Sequence, residues 1–221
     1  AQGFFGFGPR VAKNPGYDSR FVFTRMRYPS NSWSHDYPSA DLYMTEALDD
    51  MTRVPVNRGR SNVLTFSDAE LFTNPIVYVS EPGFWALQDG EAATLRAYLL
   101  KGGFIIFDDF EGDAQWRNMA AQMSRALPGH RFLPIDVSHS IFHALFDLKA
   151  LTVPHPSVSV TPAFYAIFED NNPKGRMIAL ANHNSDLAEY WEWSARDVFP
   201  VDVTSGAYEM GVNYIVYAMT H

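Results

Sequence analysis

Residues 75–112 read PIVYVSEPGFWALQDGEAATLRAYLLKGGFIIFDDFEG, and this stretch decides the fold. An apolar run, Ile76-Val77-Tyr78-Val79, is followed by a helical segment from Gln88 to Lys101. Gly102-Gly103 then stops the helix, and a second apolar run, Phe104-Ile105-Ile106-Phe107, ends in Asp108-Asp109. A strand, a crossover helix and a strand form a parallel unit. An open α/β sheet places its ligands at the carboxyl ends of such strands, which here is where the two carboxylates stand. Parallel strands joined by one helix are usually neighbours, so the two runs are expected side by side in the centre of the sheet.

Outward from this unit the alternation continues. Phe21–Tyr28 (FVFTRMRY) is β-rich and alternating, and reads as the first strand. Pro29–Pro38 is a polar loop holding Trp33, His35 and Asp36. Ser39–Met51 is a helix with Ser39 as its cap and Leu42, Tyr43, Ala47, Leu48 and Met51 on one stripe. Asn62–Thr65 reads as a short strand, and Ser67–Glu70 as a capping box. Gly112–Leu127 is a further helix, Phe132–Ile135 a short strand and Ser140–Phe146 a short helix. Ala163–Phe168 and Met177–Ala181 are two more strands. Ala188–Trp193 is a helical turn, and Gly206–Thr220 is a final helix with Tyr208, Val212, Ile215, Val216 and Met219 inward. Strand alternating with helix implies a mostly parallel sheet covered on both faces.

The 221 residues are 47% hydrophobic, enough for one substantial core, so residues 21–221 are expected to form a single domain. Residues 1–20 read as an extended Gly/Phe-rich arm. The formal net charge of −8, with no basic run longer than Arg58-Gly-Arg60, argues against a nucleic-acid partner. Cysteine is absent, which removes disulfides, thiolate metal sites and any Cys nucleophile. The uncharged run from Ala150 to Phe168 is broken by Pro154, Pro156 and Pro162 and does not read as a membrane span. The sequence opens Ala1-Gln2-Gly3 without Met; the expectation is a mature periplasmic chain whose signal peptide has been cleaved.

Five segments in order resemble the bacterial DUF4159 family. They are Phe21–Tyr28 (FVFTRMRY), Leu99–Phe110 (LLKGGFIIFDDF), His139–Leu148 (HSIFHALFDL), Asn182–Leu187 (NHNSDL) with Trp191-Glu192, and Gly211–Met219 (GVNYIVYAM). The resemblance covers roughly residues 20–221. It implies a three-layer α/β/α sandwich like the class I glutamine amidotransferases (flavodoxin-like), and says little about chemistry. Ser140 stands where the family pattern has Pro. The amidotransferase nucleophile is Cys, which this chain lacks, so glutaminase chemistry by that route is excluded.

Candidate ligand residues line the crevice at the strand ends: Glu81, Asp108, Asp109, Asn182 and Asp186. Of the adjacent Asp108 and Asp109, one is expected to face the crevice while the other caps the next helix. Asn182–Asp186 reads as a second wall of the crevice or as an Asx-rich turn capping the helix at Leu187. His139 and His143 have i, i+4 spacing but lack the Glu of the metalloprotease motif, and no metal is expected. Ser80, at a sharp Pro-Gly turn, and Thr204-Ser205-Gly206 are the nearest approaches to a nucleophile elbow, and neither carries its full glycine pattern. No catalytic residue and no cofactor are therefore expected. Phe4, Phe5 and Phe7 of the arm, with Trp33, Trp85 and Trp191, are instead expected to dock on other protein subunits. The resulting expectation is a non-catalytic accessory subunit of a membrane-associated assembly on the periplasmic side, with respiratory or photosynthetic complexes as candidate hosts. The alternative is a periplasmic hydrolase, or a small-ligand or carbohydrate-binding protein, working from the crevice.

Overall fold

The computed structural model describes residues 9–221. Seven strands, β1 (Phe21–Met26), β2 (Val56–Leu64), β3 (Ile76–Ser80), β4 (Phe104–Asp108), β5 (Leu133–Ile135), β6 (Ala163–Phe168) and β7 (Met177–His183), make one sheet in the order β2-β1-β3-β4-β7-β6-β5. The deciding unit is as expected. β3 and β4 are parallel neighbours in register from Ile76 opposite Phe104 to Ser80 opposite Asp108. The sheet is parallel from β2 to β7, and β6 and β5 add an antiparallel edge. That edge follows from the short connection between β6 and β7, which closes a hairpin and leaves no room for a crossover helix.

Helices cover both faces. On one side α1 (Ser39–Met51), α4 (Leu187–Glu192) and α5 (Val201–Thr220) bury Met44, Leu48, Trp191, Met210 and Ile215 against Phe23, Tyr78 and Ile106. On the other, α2 (Glu91–Leu100) and α3 (Gly112–Ala126) bury Leu95, Leu99, Met119 and Met123 against Val77, Ile105 and Phe107. Successive residues of β3 and β4 thus serve opposite cores, which is why these strands are apolar throughout and not alternating. Gly102, at φ 112, takes the left-handed turn that ends α2.

Several local expectations need correcting. Pro38, not Ser39, precedes α1 as its cap residue, and no side chain caps it. The strand expected at Asn62–Thr65 is the second half of the longer β2, and the expected capping box at Ser67–Glu70 is a 3-10 turn over Ala69–Thr73. Met219 is exposed, because α5 runs past the edge of the core at its last turn.

The larger correction concerns the aromatics. Trp33, Trp85 and Trp191 are core residues at 5%, 1% and 3% exposure, not surface anchors. Trp33 packs on Tyr37, Trp85 between Phe66 and Phe107, and Trp191 against Phe23 and Tyr78. Phe4, Phe5 and Phe7 lie outside the described residues. What is described of the arm lies on its own domain. Val11 packs against the core of the α2/α3 face. The Asn14 amide donates to the Val63 carbonyl at 3.0 Å and accepts from its N–H at 2.9 Å, filling the outer edge of β2. No helix among the described residues is long and apolar enough to cross a membrane.

Candidate functional site

The chain leaves β1 for β2 on one side and later sets β3 on the other, so the topological switch point lies between β1 and β3. Ligands of open α/β sheets bind above the strand ends at such a point. Four connections converge there: the loop after β1, the Ser80-Glu81 turn after β3, Asp109 after β4, and Ser185-Asp186 after β7.

The loop after β1 is held from below by Arg25, which is wholly buried. Its guanidinium donates to Asp41 Oδ1 from Nε at 2.9 Å and from Nη2 at 2.6 Å. Nη1 donates to the carbonyls of Trp33 and His35 at 3.2 and 2.7 Å, and the group lies over the Tyr78 ring at 5.2 Å. Arg25 therefore fixes the backbone that presents His35 and Asp36. Tyr28 does the same for β3, donating to the carbonyls of Ser80 and Glu81, each at 2.8 Å.

Asp36, Glu81 and Asp109 sit at φ 63, 45 and 62. Left-handed backbone at non-glycine residues is uncommon, and for a Glu more so than for Asp. Such strain collects where a site needs a side chain aimed in one direction. Here all three carboxylates belong to one cluster. Oxygens of Asp36, Asp109 and Asp186 lie within 4.8 Å of one another, and the groups His35–Glu81–Asp109 and His35–Asp36–Glu189 meet the same condition. Two like charges at that separation repel by about 3 kcal/mol at an effective dielectric constant near 20.

One cation answers this charge directly. His35 Nδ1 bonds Asp109 Oδ2 at 2.8 Å and stands 3.5 Å from Asp36 Oδ2. The bond to Asp109, then the nearness of Asp36, push the imidazole up to about 12, so His35 is an imidazolium at neutral pH although its ring is half exposed. Burial holds Asp186 well above the ordinary carboxylate range, helped by Asp109, Asp36 and Asp108. Burial, then the facing Asp36, push Glu189 up to about 7. Burial also raises Glu81.

The paired aspartates divide their work. Asp109 faces the site. Asp108 lies beneath it, pushed up to about 6 by burial against the pull of its bonds to Asn182 and Tyr78. Its Oδ1 accepts from Asn182 at 3.0 Å; its Oδ2 accepts from the Tyr78 hydroxyl at 2.8 Å and from the N–H groups of Leu187 and Ala188 at 2.8 and 3.3 Å. The helix it caps is therefore α4, not α3, the next one in the chain. Asn182 supports Asp108 and is not a wall of the crevice. Asp186 does both expected jobs: Oδ1 caps α4 through Glu189 N at 3.0 Å, and the carboxylate joins the cluster.

The other candidates are accounted for locally. Ser80 Oγ donates to Asp109 Oδ2 at 3.1 Å, so Ser80 and His35 share one acceptor and do not form a Ser–His–Asp relay. Ser205 lies inside α5, not on an elbow. His139 accepts from Ile141 N, while His143 bonds Asp147 and the Val137 carbonyl. A cavity of about 910 Å³, lined by Asp136, His139, Lys174, Arg176 and Tyr217 among others, opens at the opposite end of the sheet, away from the acidic cluster. His35, Asp36 and Glu189 are site residues that sequence reading did not single out. The available signal was position: His35 and Asp36 occupy the loop after a strand's carboxyl end, where α/β folds keep their ligand groups.

The model of the domain of unknown function DUF4159 matches residues 22–219, and the chain belongs to that family. Among curated proteins no sequence matches it significantly.

Proposed function

We propose that this domain binds a small polar ligand at the switch point between β1 and β3, and that the ligand carries positive charge or arrives with a cation. The observation that carries the reading is the convergence of Asp36, Glu81 and Asp109, all in left-handed backbone, from three different strand ends onto one acidic cluster. Five carboxyl groups, those of Asp36, Glu81, Asp109, Asp186 and Glu189, surround one imidazolium. His35, Glu81 and Glu189 form the accessible rim, whereas Asp36, Asp109 and Asp186 form the floor. The shared bonding of Ser80 and His35 to Asp109 supports binding over hydrolysis. Backbone amide NMR of the full chain, titrated with amines, amino acids and saccharides, tests this. Shifts should concentrate at residues 31–36, 80–81, 109 and 185–189, and should vanish in Glu81→Gln. Shifts at the cavity around His139 and Arg176, or hydrolysis of an ester, peptide or glycoside that stops in Asp108→Ala/Asp109→Ala, would refute it.

The amidotransferase-like kinship of the sheet is likewise proposed, supported by the family resemblance and by helices on both faces of a mostly parallel sheet. A second reading is the accessory subunit of a periplasmic-side assembly. It now rests on Phe4, Phe5 and Phe7, since the three tryptophans belong to the core. Native pull-down with and without residues 2–9 separates it from the first: loss of a stoichiometric partner on deletion supports it.

A further inference from the structure

Asp36 is the least satisfied charged group of the site. Its side chain is fully buried, and neither carboxylate oxygen has a hydrogen-bond partner among the described residues. Burying a carboxylate without donors is strongly unfavourable unless a positive charge stands against it. The positive charge nearest Asp36, the His35 ring, stands 3.5 Å from Oδ2 and gives its short bond to Asp109. One Asp36 oxygen lies within 4.8 Å of one oxygen each of Asp109 and Asp186, which are likewise within 4.8 Å of each other. The three carboxylates come from the ends of β1, β4 and β7, so the arrangement belongs to the sheet and not to one loop.

We propose that Asp36, Asp109 and Asp186 hold one divalent cation of the oxygen-preferring class, Ca²⁺ before Mg²⁺ or Mn²⁺. This rests on the switch-point reading above and makes the ion the floor on which the ligand's polar groups settle. All three donors are carboxylate oxygens, which select hard cations over Zn²⁺ or Cu²⁺. Mg²⁺ demands near-ideal octahedral geometry and keeps several waters. Ca²⁺ tolerates irregular carboxylate sets, which suits three side chains fixed by unrelated strand ends. Asp186 brings one oxygen already aligned by its bond to Glu189 N, leaving the other for the ion.

The test uses the full chain after treatment with a chelator. Calorimetric titration with CaCl₂, MgCl₂ and MnCl₂ should show one site, and Mn²⁺ should broaden the amide signals of Asp36, Asp109 and Asp186 first. Asp36→Asn and Asp186→Asn should each weaken binding by more than about tenfold, the loss typical even of a ligand's supporting partner. No binding at millimolar cation overturns the proposal, as does broadening centred elsewhere or affinity unchanged in either variant that folds. If neither variant folds, the Mn²⁺ map of the unaltered chain decides alone. The organic-ligand titration is run with and without the cation, so a cation that binds while no ligand does sinks the parent reading and leaves this one standing.

Discussion

Arg25 carries its charge without access to water, between Asp41, the Tyr78 ring and two backbone carbonyls. In the sequence it is one of two arginines in an alternating strand, and nothing local distinguishes it from Arg27, which is exposed. The difference is position along the strand: Arg25 lies within β1 on the α1 side, where Asp41 waits, whereas Arg27 lies past the strand's end at Met26. Removing one member of a buried ion pair leaves the other uncompensated, so Arg25→Ala should cost about 3–5 kcal/mol in urea unfolding. It should also disturb the His35 ring signals. Replacing the pair by apolar residues of similar volume, Arg25→Met with Asp41→Leu, should recover most of the stability but not the His35 signals, because the carbonyls of Trp33 and His35 still lack their donor. A single Arg25→Ala variant as stable as the parent would contradict this account.

At the scale of elements, α5 crosses α1 and α4 at Gly211. A methyl group added there would come within 2.5 Å of Met44 Cε and 2.6 Å of Trp191 Cζ2. Met44 can move, but the Trp191 indole is wedged between Phe23, Tyr78 and Tyr208. Gly211→Ala would gain about 1 kcal/mol of helix propensity and lose about 1–3 kcal/mol to overpacking. Lower thermal stability is expected, and a rise would show that the helices separate freely. The elements themselves were legible where period and punctuation agree, as in β3, α2 with Gly102, and β4. They were less legible where pairing decides: the last residues of β7 are extended because β6 binds them. The three tryptophans were misjudged for a related reason. Trp33 and Trp85 sit in loops with no period from which to read a face, and α4, which carries Trp191, is little more than one turn long.

For the molecule as a whole, the site escaped sequence reading because strand order brings it together. His35 and Asp109 are 74 positions apart and meet because strand order puts β1 and β4 on either side of β3, so the segments after both strands reach the same end of the sheet. The same order leaves two open borders. On β2, residues 57–60 bulge away from β1, Arg58 is paired with Asp49 and Asp50, and Asn14 covers Val63. Asn14→Ala should speed hydrogen exchange at the Val63 amide by an order of magnitude or more while moving the melting temperature little, because only an edge bond is lost. Unchanged exchange would mean that the arm does not hold that edge. The opposite border, β5, is three residues long and carries Pro134, which has no N–H to offer. Each border of the sheet is thus closed to the addition of another strand, one by a side-chain amide and a bulge, the other by a proline. Among the described residues, copies of this chain therefore find no template for growing a continuous sheet from one molecule to the next. The protein should resist fibril formation at concentrations where an unguarded seven-stranded sheet would polymerise.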